Sequence, residues 1–146
     1  MDTRELFARL IKCEAGGEGE AGMKAVATVT MNRVHVARGE YQRINQGDLR
    51  RVIEQSCQYS CFKTVIDGQP NTQNIWTATP EPIHYEIADW ALSGGVHSGT
   101  GAEALWYMNP FIPTCPNLFP YNGTGYWFTR VAQHCIYNPT NSYAGT

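Results

Sequence analysis

The 146-residue sequence contains no apolar run of about eighteen residues, the length that a membrane-spanning helix requires. Its first residues lack the basic stretch followed by an apolar stretch that marks a secretory signal, so neither a signal nor a membrane span is expected. There is little excess of either charge, with a net charge of −2 and an isoelectric point near 6.0. A partner held by broad electrostatic attraction, such as a nucleic acid or an anionic membrane, is therefore not expected.

Short motifs of several enzyme classes are also missing, because the sequence has no HExxH, no Gly-rich phosphate loop and no GxSxG. The five cysteines include no CxxC pair, which argues against structural zinc. Because their number is odd, at least one thiol is expected to be free or paired with another chain. A catalytic zinc held by His84, His97 and His134 with an acid stays open, since folding can unite distant ligands. Cys135 beside His134 is a poor nucleophile and base pair, because neighbours on a strand point to opposite faces.

Basic and aromatic residues are distributed unevenly along the chain. Ten of the eleven basic residues lie between Arg4 and Lys63, whereas thirteen of the seventeen aromatic residues lie from Trp76 onward. The first half therefore predicts charged, amphipathic helices, and the second half predicts loop-rich structure with rings available for packing or for stacking on a ligand. The length suits one domain with a sizeable core, so we predict a single domain over residues 1–146.

Periodicity and capping signals predict a mainly helical α+β domain with a small β element late in the chain. The predicted helices run from about Thr3, as N-cap, to Cys13 or Glu14, from Glu18 to Val36, from Leu49 to Gln55 after an Asp48 N-cap, and from Ile83 to Leu92. The apolar run 104–108 predicts a buried strand. Residues 126–137 alternate loosely and are expected to pair with it, whereas 109–126 carries too many prolines for a long element.

Glu14 is the most informative residue of the first helix. Phe7, Leu10, Ile11 and Glu14 follow the i, i+3, i+4, i+7 spacing of one helical face, so an acid occupies a position where the pattern calls for an apolar residue. Burial disfavours the charged form of a carboxyl, which can keep a general acid protonated near neutral pH. The alternative is a solvated acid at a frayed helix end, one turn before glycines 16 and 17.

An acid at a helix end, with polar loops and many rings, suits a polysaccharide substrate. Amide, hydroxyl and aromatic side chains hold sugars, and a protonated acid delivers a proton to the glycosidic oxygen. The candidates for holding the sugar are Gln58, Tyr59, Ser60, Trp106, Tyr107 and His134. For Tyr59 and Trp106 the alternative is a place in the core, where such rings are more often found than in a cleft.

Several blocks of the sequence resemble the SleB/CwlJ cell-wall hydrolases, which degrade the cortex peptidoglycan of germinating bacterial spores. The blocks are LIKCEAGGEG at 10–19, GMKAVA at 22–27, NRV at 32–34, VI at 52–53 leading to QYS at 58–60, LWY at 105–107 and HCIYNP at 134–139. They span nearly the whole chain, with gaps mainly between residues 62 and 100. The compact length and the CP and HC pairs at 115–116 and 134–135 resemble the CwlJ branch most closely.

The resemblance implies a single lysozyme-like catalytic domain, similar to that of lytic transglycosylases, with Glu14 as the catalytic acid. The implied reaction cleaves between N-acetylmuramic acid, or its δ-lactam form, and N-acetylglucosamine, and leaves a 1,6-anhydro end without a metal or cofactor. Glu18 is expected to orient the site or cap the second helix. Tyr107 is expected to stack or hydrogen-bond, His134 to support the site, and Gln58 and Ser60 to bind N-acetyl groups.

The resemblance also implies a location and partners. The expected substrate is spore cortex peptidoglycan, and the expected place is the boundary of coat and cortex, where cysteines could cross-link to a coat protein. Two other functions stay open at this point: a metal-dependent peptidoglycan amidase that uses the histidines, and a non-catalytic coat or cortex-binding protein.

Overall fold

The computed structural model describes residues 1–55, 61, 64–72, 74–120 and 122–146. Within these residues the chain forms five α-helices, a two-stranded hairpin and a three-stranded antiparallel sheet, an α+β arrangement as predicted. The elements are α1 (Thr3–Ala15), α2 (Gly19–His35), α3 (Gly39–Asn45), α4 (Leu49–Gln55), β1 (Val65–Ile66), β2 (Gln69–Pro70), α5 (Pro82–Leu92), β3 (Trp106–Met108), β4 (Gly125–Val131), β5 (His134–Pro139) and a final 3₁₀ helix (Asn141–Gly145). No helix in the described ranges is long and apolar enough to span a bilayer.

The four predicted helices are confirmed, with small shifts at their ends. The N-cap of α1 is Asp2 rather than Thr3, because the Asp2 carboxylate accepts a hydrogen bond of 2.8 Å from the backbone N–H of Glu5. Asp48 accepts from the backbone N–H of Arg50 at 3.1 Å, as expected for the start of α4. The short helix α3 was not predicted, because its seven residues bury only Tyr41 and Asn45 and so carry little periodicity.

The centre of the helical part is α2, whose small residues allow close approach on several sides. Ala25, Val26, Ala27 and Val29 are fully buried, and α2 packs against α1, α4 and α5. The main apolar core lies between these helices. Asn32, near the end of α2, donates two hydrogen bonds to the carbonyls of Gly101 and Ala104, at 3.0 and 2.9 Å. These bonds tie the loop before β3 to the helix.

The late β element is an antiparallel sheet with the strand order β3-β5-β4, so β3 pairs with β5 and not with β4, the next strand in sequence. The predicted run 126–137 is therefore two strands joined by a tight turn, and its second strand is the one that pairs with β3. The turn contains Ala132 at φ 52°, a left-handed conformation that the alternation did not signal. A disulfide between Cys115 and Cys135 fastens the preceding loop to β5.

Candidate active site

Helices and sheet meet at a cavity of about 320 Å³, here called the acid pocket. One side, the helical wall, is formed by Cys13, Glu14 and Glu18. The other side, the sheet wall, is formed by Tyr107, Met108, Asn109, Phe111 and His134. The walls are far apart in sequence, so the pocket exists only because the β3–β5 pair packs beside the ends of α1 and α2.

Glu14 lies in the last turn of α1, at the end of the apolar face that the spacing predicted. Phe7, Leu10 and Ile11 of that face are fully buried, and Glu14 is partly exposed at the pocket wall. Burial raises the pKa of the Glu14 carboxyl to about 7; the Arg33 guanidinium opposes this rise and the Glu18 carboxylate adds to it. A carboxyl with such a pKa holds its proton near neutral pH, which is what a general acid requires.

Arg33 lies in the last turn of α2, where a cation favours the helix dipole, and the structure gives its side chain further contacts. Its side chain is buried, and its Nε donates a 2.7 Å hydrogen bond to the carbonyl of Leu105, next to β3. The guanidinium carbon lies 4.7 Å from the ring centroid of Tyr41 and 5.7 Å from that of Tyr107. Arg33 thus joins α2 to the sheet wall while its charge acts on Glu14.

Glu18 connects the two walls. Its Oε1 accepts a hydrogen bond of 2.9 Å from the backbone N–H of Gln133. The same oxygen lies 2.6 Å from Nδ1 of His134. Glu18 is the N-cap residue of α2, but its side chain does not cap the helix, so the capping role considered for it is wrong and the orienting role remains. Gly22 permits this arrangement, because a Cβ there would lie 2.6 Å from Cβ of Glu18 and 3.4 Å from that of Ala132.

The residues predicted to hold the sugar lie in different parts of the structure. Tyr107 and His134 line the acid pocket, where their rings meet edge to face with centroids 5.2 Å apart. Trp106 points away from it, since only 4% of its surface is exposed and its ring packs on Tyr41 and Tyr143. A buried ring offers no face to a sugar, so the structure contradicts a substrate-binding role for Trp106. The remaining candidates, Gln58, Tyr59 and Ser60, lie outside the described residues.

The histidines considered for a catalytic zinc do not assemble. His97 hydrogen-bonds Thr100 and Thr28, and His84 accepts from the backbone N–H of Glu81. Within the described ranges, no three side chains of the His, Cys, Asp or Glu type come together in a way that could hold a metal ion. The Cys135 sulfur is in the disulfide, so it is no thiol nucleophile.

Four residues of the acid pocket were missed by sequence reasoning, and two of them are Asn109 and Phe111. They lie in the proline-rich stretch that was judged too broken for a regular element, and no periodicity marks them. Their only sequence signal was the position directly after an apolar strand, where polar and aromatic side chains often reach a site on a loop. The other two are Met108 of β3 and Cys13 of α1, and Cys13 also lines a separate cavity of about 540 Å³ with Lys12 and His84.

A carboxyl whose pKa is raised to about 7 in a mixed polar and aromatic pocket is typical of a general-acid site. The chain belongs to the Cell Wall Hydrolase family, whose model matches residues 17–137. The match includes Glu18, Tyr107 and His134 and begins three residues after Glu14. Membership of this family supports an enzyme that degrades cell-wall peptidoglycan.

Two curated relatives agree with this family. The chain is similar to the cell wall hydrolase CwlJ of Halalkalibacterium halodurans, with 28% identity over 139 residues, which cover 94% of this chain and 86% of the relative. It is also similar to the cell wall hydrolase CwlJ of Bacillus subtilis, with 27% identity over 136 residues, or 93% and 84% of the two chains. These relatives confirm the predicted resemblance to the CwlJ branch. No solved structure matches the chain significantly, so the lysozyme-like fold stays a prediction.

Proposed function

We propose that the protein is a lytic transglycosylase that cleaves peptidoglycan between N-acetylmuramic acid, or its δ-lactam form, and N-acetylglucosamine. The observation that carries the proposal is the Glu14 carboxyl, whose pKa burial raises to about 7 inside the acid pocket. The same group can then donate a proton and accept one at nearly the same pH. Such a dual role is what a transglycosylase with one acid needs.

In the proposed reaction, protonated Glu14 gives its proton to the glycosidic oxygen as the bond to the muramyl C1 breaks. The sugar acquires oxocarbenium character, and the N-acetylglucosamine leaves with a new hydroxyl. The muramyl C6 hydroxyl then bonds to C1 and transfers its proton to the Glu14 carboxylate. The product carries a 1,6-anhydro ring, no water is consumed, and Glu14 regains its starting protonation state.

The surroundings of Glu18 support this route over hydrolysis. Hydrolysis by the usual mechanisms requires a second carboxylate that activates water or attacks the sugar. Glu18 is the second carboxylate of the acid pocket, and its Oε1 is engaged by the Gln133 N–H and by His134. We therefore assign Glu18 and His134 to positioning the sheet wall against the helical wall, with Tyr107 held between His134 and Arg33.

The proposed substrate in the cell is spore cortex peptidoglycan, degraded during germination. The support is the resemblance of the sequence blocks to cortex-lytic enzymes and the similarity to two proteins named CwlJ. A location at the boundary of coat and cortex, with a coat protein as neighbour, belongs to the same proposal. Retention of the tagged protein in the coat fraction of purified spores is the expected result, and its recovery from the spore core would contradict this location.

Mass spectrometry of the released muropeptides tests the reaction. Purified cortex is digested with the wild-type protein and with the Glu14→Gln variant, which keeps the size of the side chain but cannot donate its proton. We expect anhydro-muramyl ends from the wild type and no released fragments from the variant. Reducing muramyl ends would contradict the transglycosylase step and would instead assign water activation to the Glu18–His134 pair. Binding without any release of fragments by the wild type would favour the non-catalytic alternative.

A further inference from the structure

Phe111 combines two features that are costly for a phenylalanine. Its side chain is 87% exposed, and its backbone has φ 59°, in the left-handed region that residues other than glycine rarely adopt. The exposed ring does not contribute the folding free energy that burying its apolar surface would give. A non-glycine residue keeps this φ only when the surrounding structure imposes it. Strained, exposed positions of this kind are concentrated at ligand sites.

The loop around Phe111 is braced on both sides. The Asn109 side chain accepts a 2.8 Å hydrogen bond from the backbone N–H of Phe111. On the other side, Arg130 of β4 donates to the carbonyls of Ile112 and Pro113, at 3.0 and 2.8 Å. Farther along, the disulfide at Cys115 fixes the loop to β5. The ring is thus presented to solvent from a supported backbone.

The ring stands between two cavities. Phe111 and Asn109 line the acid pocket, and both also line a second cavity of about 540 Å³, here called the outer cavity. The remaining wall of the outer cavity includes Ile112, Arg130 and Gln133. Gln133 is also the residue whose backbone N–H binds Glu18, so the two cavities share the turn between β4 and β5 as well as the Phe111 loop. A molecule that is bound at Glu14 and extends past Phe111 enters the outer cavity.

We propose that Phe111 is a stacking platform for an N-acetylated sugar of the glycan strand, and that the outer cavity is the subsite which holds this sugar next to the cleaved bond. A pyranose ring presents a face of C–H groups, which packs on an aromatic ring and removes its apolar surface from water. Arg130 and Gln133 also line this cavity, and their side chains are of the types that donate hydrogen bonds to hydroxyl or N-acetyl oxygens. The proposal rests on the proposed function of the acid pocket.

Binding is measured by calorimetry with a peptide-free tetrasaccharide of alternating N-acetylglucosamine and N-acetylmuramic acid. All proteins carry Glu14→Gln, so that the ligand is not consumed. We expect Phe111→Ala to weaken binding about tenfold and Phe111→Trp to retain it, since a ring face is worth roughly 1.4 kcal/mol when it is covered. Phe128→Ala is the matched control, because Phe128 is 47% exposed on β4 and lines neither cavity.

Phe111→Gly separates a ligand platform from a structural residue. Glycine accepts the left-handed backbone without strain, so the melting temperature is expected to stay the same or rise while binding of the tetrasaccharide weakens as in Phe111→Ala. A lower melting temperature with lost binding would overturn the proposal in favour of a structural role. Equal affinities of Phe111→Ala and Phe128→Ala, or no binding by the parent Glu14→Gln protein, would also overturn it. Cleavage by the Glu14→Gln protein would instead refute the proposed function of the acid pocket. The difference in affinity between Phe111→Ala and Phe128→Ala would still decide the role of Phe111.

Discussion

The helical wall and the sheet wall of the acid pocket are built by different means and contribute different things. The helical wall comes from the ends of two consecutive helices and carries both carboxylates, Glu14 and Glu18. The sheet wall is assembled from a loop and two strands that lie far from these helices in sequence, and it carries rings and an imidazole. Under the proposed function, proton transfer belongs to the helical wall, and recognition and orientation of the sugar belong to the sheet wall.

Glu14 and Glu18, the two carboxylates of the helical wall, are only four residues apart but differ in their surroundings. Glu14 ends a buried apolar face, and its pKa is raised to about 7. Glu18 lies in the turn before α2, where a backbone N–H and His134 satisfy one of its oxygens. Proximity in sequence therefore does not imply the same role, because burial acts on the pKa of Glu14 whereas Glu18 is engaged by hydrogen-bond partners on the sheet wall.

Substitution of Glu14 is expected to have the largest effect on kcat. We expect Glu14→Gln to lower kcat on peptidoglycan by about 10² to 10⁴-fold, the range that a positioned general acid contributes. Release of muropeptides per unit time from purified sacculi is the measurement. Glu20→Gln is a suitable control, since Glu20 lies on the exposed side of α2 and pairs only with Lys24 among the described residues. Equal activity of Glu14→Gln and the control would place the chemistry outside the helical wall.

The dependence of kcat on pH is expected to follow the protonation of Glu14. Because only the protonated acid can donate to the leaving group, kcat should fall above a pKa near 7. The decrease is about tenfold for each further pH unit, hence about a hundredfold two units above this pKa. Initial rates between pH 5 and pH 9 would show this limb, and a limb centred near the ordinary glutamate value of about 4.3 would contradict it.

Loss of the contact between Glu18 and His134, which joins the two walls, is expected to lower kcat by a smaller factor. Glu18→Gln retains the shape of the side chain and removes the charge that His134 meets, and we expect kcat to fall about tenfold, in line with one hydrogen bond to a charged group. His134→Gln should give a similar decrease, and the double variant should be no worse than either, since all three remove one interaction. Kinetics of the three variants test this, and additive losses would show that the two residues act independently.

The smallest expected effect concerns stability. The raised pKa means that the folded state holds the Glu14 proton more tightly than the unfolded state, so ionising this acid costs folding free energy as pH rises from about 4.5 to 7. The cost is absent below this window and complete above it. Glu14→Gln should therefore raise the free energy of unfolding by about 1 to 3 kcal/mol at pH 8 and leave it unchanged at pH 4. Denaturant titrations at both pH values would measure it; equal shifts at both would show that burial does not penalise the charge.

The sequence predicted the helical wall better than the sheet wall, for a physical reason. Local signals, namely the spacing of Phe7, Leu10, Ile11 and Glu14 and the glycines after them, fixed the acid at the end of a buried helical face. Trp106 shows the limit of such signals, because alternation along a short strand cannot tell which of its two buried faces meets the core and which meets a cleft. Phe111 shows another limit, because a proline-rich loop has no period at all.

The sequence by itself determined four of the five described helices, the α+β class, the resemblance to cell-wall hydrolases and the position of Glu14 at the end of a buried helical face. Each of these depends on residues close in the chain or on blocks that can be recognised one by one. Only the tertiary structure decided that Glu18 meets His134, that Arg33 reaches the sheet wall, and that Phe111 stands between two cavities. These pairings join residues separated by 72 to 116 positions or depend on how a loop is braced, and such contacts are selected by the packing of whole elements rather than by any local preference.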